Sequence, residues 1–495
     1  MELKIKLWKW SAGLPVAMLN TATANKMGIH PNDRISISQI TPKDPKEILT
    51  VVDTIDKLVK KDEIAISSEI KKKLNLKINQ KVFVAISPPT KSLIFIKKKL
   101  NGKKLSKKEV GLIIHDIANN SLSESEIALF VSSMYIHGMN FKETVYLINA
   151  ILKSGKYFKL KNKFVADKHC IGGIPGNRTT PLVVSICASA GLIMPKSSSR
   201  AITSAAGTTD VIETIAKVEF SIKELRKILQ KTNAFMVWGG SSELTSADSK
   251  IIRVEKILKI DPKAQLLASI MSKKLAVGSK YILIDIPYGK FAKVKKAKAL
   301  KLKLKFERLG KYFKKHLKVV LTDGSQPIGN GIGPALELMD IIKILDPNQK
   351  GPKDLEEKSI FLSGELLEMT RKAKKGEGQK LARDILQSGK AFEKFKQIIT
   401  AQKGNLKNIK YSKFKKDIYS KKSGKIKELN NKKINSLARI AGCPVDKLAG
   451  LYLYFHVGQK IKKKEKILTI YSESKSRLHQ AIKFYQRTNP IKIRN

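Results

Sequence analysis

The 495-residue sequence holds only three cysteines, Cys170, Cys187 and Cys443, scattered along the chain and without a CxxC pair. An odd, dispersed set supports neither a disulfide framework nor a zinc site. No run of about 18 apolar residues occurs, so no membrane-spanning helix and no membrane partner are expected. The opening stretch MELKIKLWKW alternates like a strand and lacks the apolar core and small-residue cleavage site of a secretory signal. These lacks imply a soluble, cytoplasmic chain. Phosphate-loop, HExxH, GxSxG and protein-kinase signatures are missing too. Acidic side chains are scarce: 42 Asp and Glu face 97 Lys and Arg, a formal net charge of +55.

That excess raises the alternative of a catalytically inactive, basic nucleic-acid-binding protein. Its distribution argues the other way. Lys supplies nearly all of it and is spread over the whole chain, whereas bidentate phosphate and base contacts call for clustered Arg. Small anionic substrates would still be drawn by such a field.

The length allows about three or four domains. Short alternating runs such as RISISQI, EILTVVD and KVFVAIS make residues 1–86 a small β-rich domain. Over residues 91–162 the period becomes helical, with capping-box spacing at Ser123 and Glu126, a cap at Asn140 and helix stops at Gly138 and Gly155. From 163 to 245 and from 278 to 404, apolar runs (KFVAD, LIMP, AFMVWGG, KYILIDIP, LKVVLTDG) alternate with helical segments. This predicts an α/β domain with a mixed or parallel sheet, whose ligands sit beyond the carboxyl ends of the strands. Residues 405–495 read as an α+β C-terminal domain, with VGQKIKKKEKILTI as a hairpin. The expected fold class is therefore multidomain α+β.

Three stretches could carry chemistry. DKHCIGGIPGNRTTPL follows the strand KFVAD; Thr180 suits an N-cap, Pro181 the first helical position, and the glycines a close approach of backbone to an anion. Lys168 and His169 would lie beside that turn. KSSSRAITSAAGTTD follows LIMP and supplies the neutral hydroxyls and single Arg of a phosphate cradle. Both loops fall on one edge of the predicted sheet. In the third stretch, Asp261 caps a helix with Pro262 at its first position. Ser269 and Lys273 are four apart on one face, which by itself suggests a solvated one. The glycines of SQPIGNGIGPALE lack dinucleotide spacing and read as a tight turn.

Taken together, DKHCIGGIPGN, KSSSRAITSAAGTTD, VWGG, LLASIMSKKLAVG and SQPIGNGIGPALE resemble the archaeal AMP phosphorylases of the thymidine/pyrimidine nucleoside phosphorylase family. The likeness runs over essentially the whole chain, and SRAITS with the N-terminal extension favours the nucleotide-cleaving branch. It implies a pentosyltransferase that converts AMP, and also CMP or UMP, with phosphate into free base and ribose 1,5-bisphosphate. A pyrimidine nucleoside (thymidine or uridine) phosphorylase is the alternative within the family. The resemblance also implies no cofactor or metal, a homo-oligomer built on dimers, and helices near 246–277 that join the helical subdomain.

By resemblance, Lys168, Ser198 and Thr208 hold phosphate. Gly173, Ser199, Arg200, Ala201, Ile202, Thr203, Ser204, Thr208, Ser269 and Lys293 contact the nucleotide. Asp261 is the proton donor to the departing base, and His169, Arg253 and Lys273 carry over more loosely as base-side positions. A helix N-terminus favours the ionised form of a carboxyl, so proton donation from Asp261 needs burial or a bound anion to oppose it. Cys170 stands where the family has Ser, and a thiol is the poorer donor.

Overall fold

The computed structural model describes residues 1–7, 15–40, 46–87, 90–158, 160, 163–201, 204–240, 246–406, 410 and 412–494. The chain folds as two compact units, one of residues 1–154 with 246–265, the other of 155–245 with 266–495. Among the described residues no helix is long and apolar enough to cross a membrane.

In the first unit, the alternating N-terminal runs close into a six-stranded barrel. Alternation buries Leu3 and Ile5, Ile35 and Ile37, and Val82 and Val84 inside it. Of MELKIKLWKW, Glu2–Leu7 is a strand and residues 8–10 lie outside the described residues. Five helices follow the barrel in this unit: Ser92–Leu100, Lys107–Ala118, Glu124–His137, Phe141–Lys153 and Ser246–Leu258. Both expected caps form: Ser123 with Glu126, and Asn140 with Glu143, exchange reciprocal bonds at helix starts.

The second unit is built on five parallel strands. Ala166–Cys170, Tyr281–Tyr288 and His316–Asp323 form one sheet, Met194–Ser198 and Ala234–Trp238 another, and a single bridge from Val165 to Ile193 joins them. Numbered along the chain, the strands stand in the order third, second, first, fourth, fifth. That is a doubly wound order, and its direction reverses between Ala166–Cys170 and Tyr281–Tyr288. A crevice opens beyond the carboxyl ends of strands at such a reversal.

Two C-terminal readings are corrected. Gly331–Ile332 is not merely part of a turn; it pairs with Gly450–Leu453 and lends a strand to the C-terminal sheet. No side chain fits there: a Cβ on Gly331 would stand 2.2 Å from the Leu336 carbonyl oxygen, and one on Gly333 2.5 Å from that of Ala449. VGQKIKKKEKILTI is not a hairpin. Lys460–Ile461 pairs with Gly424–Leu429 while Lys466–Ser472 pairs with Gly450–Leu453 and Phe414–Tyr419, in a different sheet. The apolar residues of both strands enter one core, so the connection passes from sheet to sheet around it.

Candidate active site

Strands at the reversal carry polar side chains at their carboxyl ends. Lys168 and His169 adjoin the turn, but as members of a strand that runs beyond KFVAD. The strand pairs with Tyr281–Tyr288 from Ala166 through Cys170, so both residues lie within it. Likewise Met194–Ser198 takes Lys196 and Ser198 into the sheet, beyond the apolar run that announced it. The next helix is Thr179–Ser189, beginning two residues before Pro181, with Arg178 and not Thr180 at its cap position. Side-chain bonds fix that earlier start. Arg178 donates to Glu337 at 2.7 Å, to the Ala206 carbonyl at 2.7 Å and to Thr208 at 3.3 Å. Thr179 accepts a bond from the Lys168 amine.

Beyond the Val165–Ile193 bridge, the first two strands are joined by a side chain. Lys196 Nζ donates to the Lys168 carbonyl at 2.6 Å and lies 3.3 Å from Asp167 Oδ1. Asp167 Oδ2 accepts from Lys274 Nζ at 2.6 Å. All four residues are buried. Burial pushes Lys274 down to about 7 against the pull of Asp167. Burial likewise brings Lys168 down to about 8; Lys358 and Lys196 add to the fall, while Cys170 and Asp285 oppose it. His169 is driven well below the ordinary imidazole range by burial and then by Lys274, Lys196, Lys273 and Lys168, so it is neutral. Its Nδ1 is buried and has no hydrogen-bond partner among the described residues.

The hydroxyl-rich loop is held by one carboxylate. Asp210 Oδ2 accepts from Ala201 N at 2.7 Å and Gly207 N at 2.8 Å. Ser198 Oγ and Thr209 Oγ1 are 2.8 Å apart, and Ser204 Oγ donates to the Ala206 carbonyl at 2.9 Å. Ser199 is half-buried beside them. Arg200 turns to Glu213 and Glu219 and lies 4.8 Å over the Trp238 ring. Ile202 and Thr203 lie outside the described residues.

Other expected contacts meet in the same unit. A Cβ on Gly173, whose φ is +95°, would stand 2.9 Å from Lys293 Cβ, so only glycine lets that turn close on Lys293. Lys273 Nζ donates to Ser269 Oγ at 2.7 Å. That pair is not on a solvated face: Lys273 is 6% exposed, with its stem near Gly239. Arg253 and Asp261 belong to the first unit, where Arg253 pairs with Glu124 at 3.7 Å. Asp261 is half-buried, and its helix begins at Lys263, one residue later than expected.

Sequence reading missed Asp285 and Lys358. Asp285 Oδ1 accepts from Thr322 at 2.6 Å, and Oδ2 faces Lys358 Nζ at 3.3 Å. A signal was present: Asp285 is the one charge inside the apolar run YILIDIP, and a charge buried in a central strand needs a partner and a reason.

Comparison with known proteins matches three stretches of the chain. The model described as "Glycosyl transferase family, helical bundle domain" matches residues 94–155, "Glycosyl transferase family, a/b domain" residues 162–392, and "Pyrimidine nucleoside phosphorylase C-terminal domain" residues 425–492. Anthranilate phosphoribosyltransferase from Thermus thermophilus shares the fold at a TM-score of 0.52 and 16% identity, over 62% of this chain and 99% of that one. The molecule is thus built as a glycosyl transferase of the a/b kind with a nucleoside-phosphorylase C-terminal domain. Curated AMP phosphorylases match it end to end. Those of Thermococcus kodakarensis and Pyrococcus furiosus are each 41% identical, over 100% of this chain and 98% of theirs. That of Methanococcus vannielii is 40% identical over 99% and 97%. The chain belongs to the AMP phosphorylase family.

Proposed function

We propose that the protein cleaves nucleoside 5′-monophosphates with inorganic phosphate, converting AMP to adenine and ribose 1,5-bisphosphate and acting also on CMP and UMP. The observation that carries this is the end-to-end likeness to AMP phosphorylases together with a buried Lys168–Thr179 pair at the strand reversal. Two anions must be held, and two hydroxyl-rich loops on adjacent parallel strands offer themselves. Lys168, Ser198 and Thr208 take the attacking phosphate. Gly173, Ser199, Arg200, Ala201, Ile202, Thr203, Ser204, Thr208, Ser269 and Lys293 take the nucleotide, with His169, Arg253 and Lys273 towards the base.

A phosphate oxygen bonds to the anomeric carbon as the glycosidic bond breaks, and the bonding pair leaves with the base. Asp261 supplies the proton that neutralises it. The barrier falls through positioning and through fixed cations beside the separating charge. The reaction calls for no cofactor, since phosphate is the second substrate. We place it in the cytoplasm, where nucleotide and phosphate meet, as a homo-oligomer built on dimers; light scattering would report the size.

The direct test is to incubate the protein with AMP and phosphate and assay adenine; its absence across salt and temperature overturns the reading. Cleavage of uridine or thymidine in place of AMP would select the nucleoside alternative. Steeply salt-dependent RNA binding without phosphorolysis would select the nucleic-acid one. Near-full turnover in Asp261→Asn would remove Asp261 as donor.

A further inference from the structure

The crevice contains a charge pair that the reaction scheme above leaves unused. Asp285, on strand Tyr281–Tyr288, stands in register with Cys170 on the neighbouring strand. Lys358, from helix Lys353–Met369, reaches the same carboxylate, its Nζ 3.3 Å from Asp285 Oδ2. The side chain of Asp285 is fully buried and that of Lys358 is 9% exposed. Placing two charges there is costly unless each does something a neutral pair of side chains would not.

The surroundings indicate what that is. The Asp285 carboxylate accepts from Thr322 at 2.6 Å. Its register with Cys170 sets it beside the strand that carries Lys168, two residues earlier on the same face of the sheet. The Cys170 sulfur accepts from Gly172 N at 3.4 Å and from Asn177 Nδ2 at 3.3 Å. The same carboxylate acts on Lys168. Charges and one accepting hydroxyl face that amine: Asp285 and Lys358, Lys196 from strand Met194–Ser198, Thr179 from its helix, and Cys170 on its own strand. Asp285 is the carboxylate among them.

Resting on the reading that Lys168 holds phosphate, we propose that the Asp285–Lys358 pair is the positioning element of the phosphate wall. Asp285 sets the charge of the Lys168 amine, and Lys358 limits how strongly the carboxylate pulls. The two residues act on Lys168 in opposite directions. Burial favours a carboxylic acid at Asp285, yet Lys358, Lys168 and the Thr322 bond outweigh it and hold the group below the ordinary carboxylate range. Burial brings Lys168 to about 8, within reach of neutral conditions, so a neighbouring charge of either sign changes how much of it is protonated.

The opposed signs give a test that a purely structural role would not pass. Inorganic phosphate binding is measured by calorimetry from pH 6 to 9.5 on the full-length protein, on Asp285→Asn and on Lys358→Met. The alkaline loss of affinity should move about one pH unit to the acid side in Asp285→Asn and about one to the alkaline side in Lys358→Met. Ionisation of phosphate itself is common to all three. Movement in the same direction, or no movement, overturns the proposal. If Asp285→Asn does not fold, Lys358→Met decides alone, since an unmoved or acid-shifted limb contradicts it. Lys168→Gln separates the two levels: unchanged phosphate affinity there would remove the phosphate role of Lys168 itself.

Discussion

The amine of Lys196 replaces a rung of the sheet, donating to the Lys168 carbonyl at 2.6 Å where the two strands have stopped pairing. The same amine faces Asp167, which Lys274 holds from the other side. The strands can therefore diverge without leaving that carbonyl unsatisfied. Lys196→Met would break this junction, and removing one partner of a buried ion pair typically costs about 3–5 kcal/mol. Urea unfolding should show a loss near the lower end, because Lys274 still faces Asp167. The phosphate KM should rise at the same time, since the carbonyl belongs to Lys168.

Gly176 should tolerate no side chain. Its φ is +70°, and a Cβ would stand 2.2 Å from the Ile328 carbonyl oxygen and 3.0 Å from that of Gly331. Gly176→Ala combines left-handed backbone strain of about 1–2 kcal/mol with a backbone clash of similar size. A lowered melting temperature is expected, with weaker phosphate binding because the turn is displaced.

The three thiols should be inert in the folded protein. Burial raises Cys187 to about 12 and Cys443 well above its ordinary value; Cys170 is raised by burial and by Asp285. Iodoacetamide at pH 7.5 should leave all three unmodified by mass spectrometry and modify all three after unfolding. Cys170→Ser should keep at least half of the turnover, since phosphate attacks without an enzyme nucleophile. A large loss there would make the thiol a participant.

Asp340 should give the stability a distinct pH dependence. Burial raises it to about 6, against two backbone bonds from Gly331 and Asn330. The folded protein therefore holds this proton more tightly than the unfolded chain, in which the carboxyl titrates near 3.8. Its contribution is fully present below pH 4 and is lost as pH rises through 6, about 3 kcal/mol in all. Asp340→Asn removes that loss. Relative to the parent, the variant should gain stability between pH 4 and 7 in urea titrations; a constant difference would contradict the assignment.

How much of this was legible follows from where polarity falls along each strand. Five apolar runs announced the five parallel strands of the second unit, and a capping box at Ser123 and a cap at Asn140 announced their helices. The ends were misplaced where function intrudes. A pattern reader stops at the last apolar residue, but strands that end in a ligand crevice carry Lys168, His169, Lys196 and Ser198 as sheet members. Ser269 and Lys273 were found by spacing, while their burial was invisible because it depends on what packs against that face. Asp285 and Lys358 meet only through tertiary folding across 73 positions, so spacing could not pair them. The strand lent by Gly331–Ile332 was hidden for the same reason.

The balance of charge inside the second unit has one more consequence. Lys168, Lys196, Lys273, Lys274 and Lys358 are buried or nearly so, with Asp167 and Asp285 as the carboxylates among them. Burial first, and neighbouring amines after it, lower two of these lysines to about 8 and about 7. At the phosphate site proposed above, a bound anion would offset the mutual repulsion of these amines and so stabilise the fold as well as react. Melting in phosphate should exceed melting in chloride at equal ionic strength. The stability of the folded chain would then follow the concentration of phosphate around it.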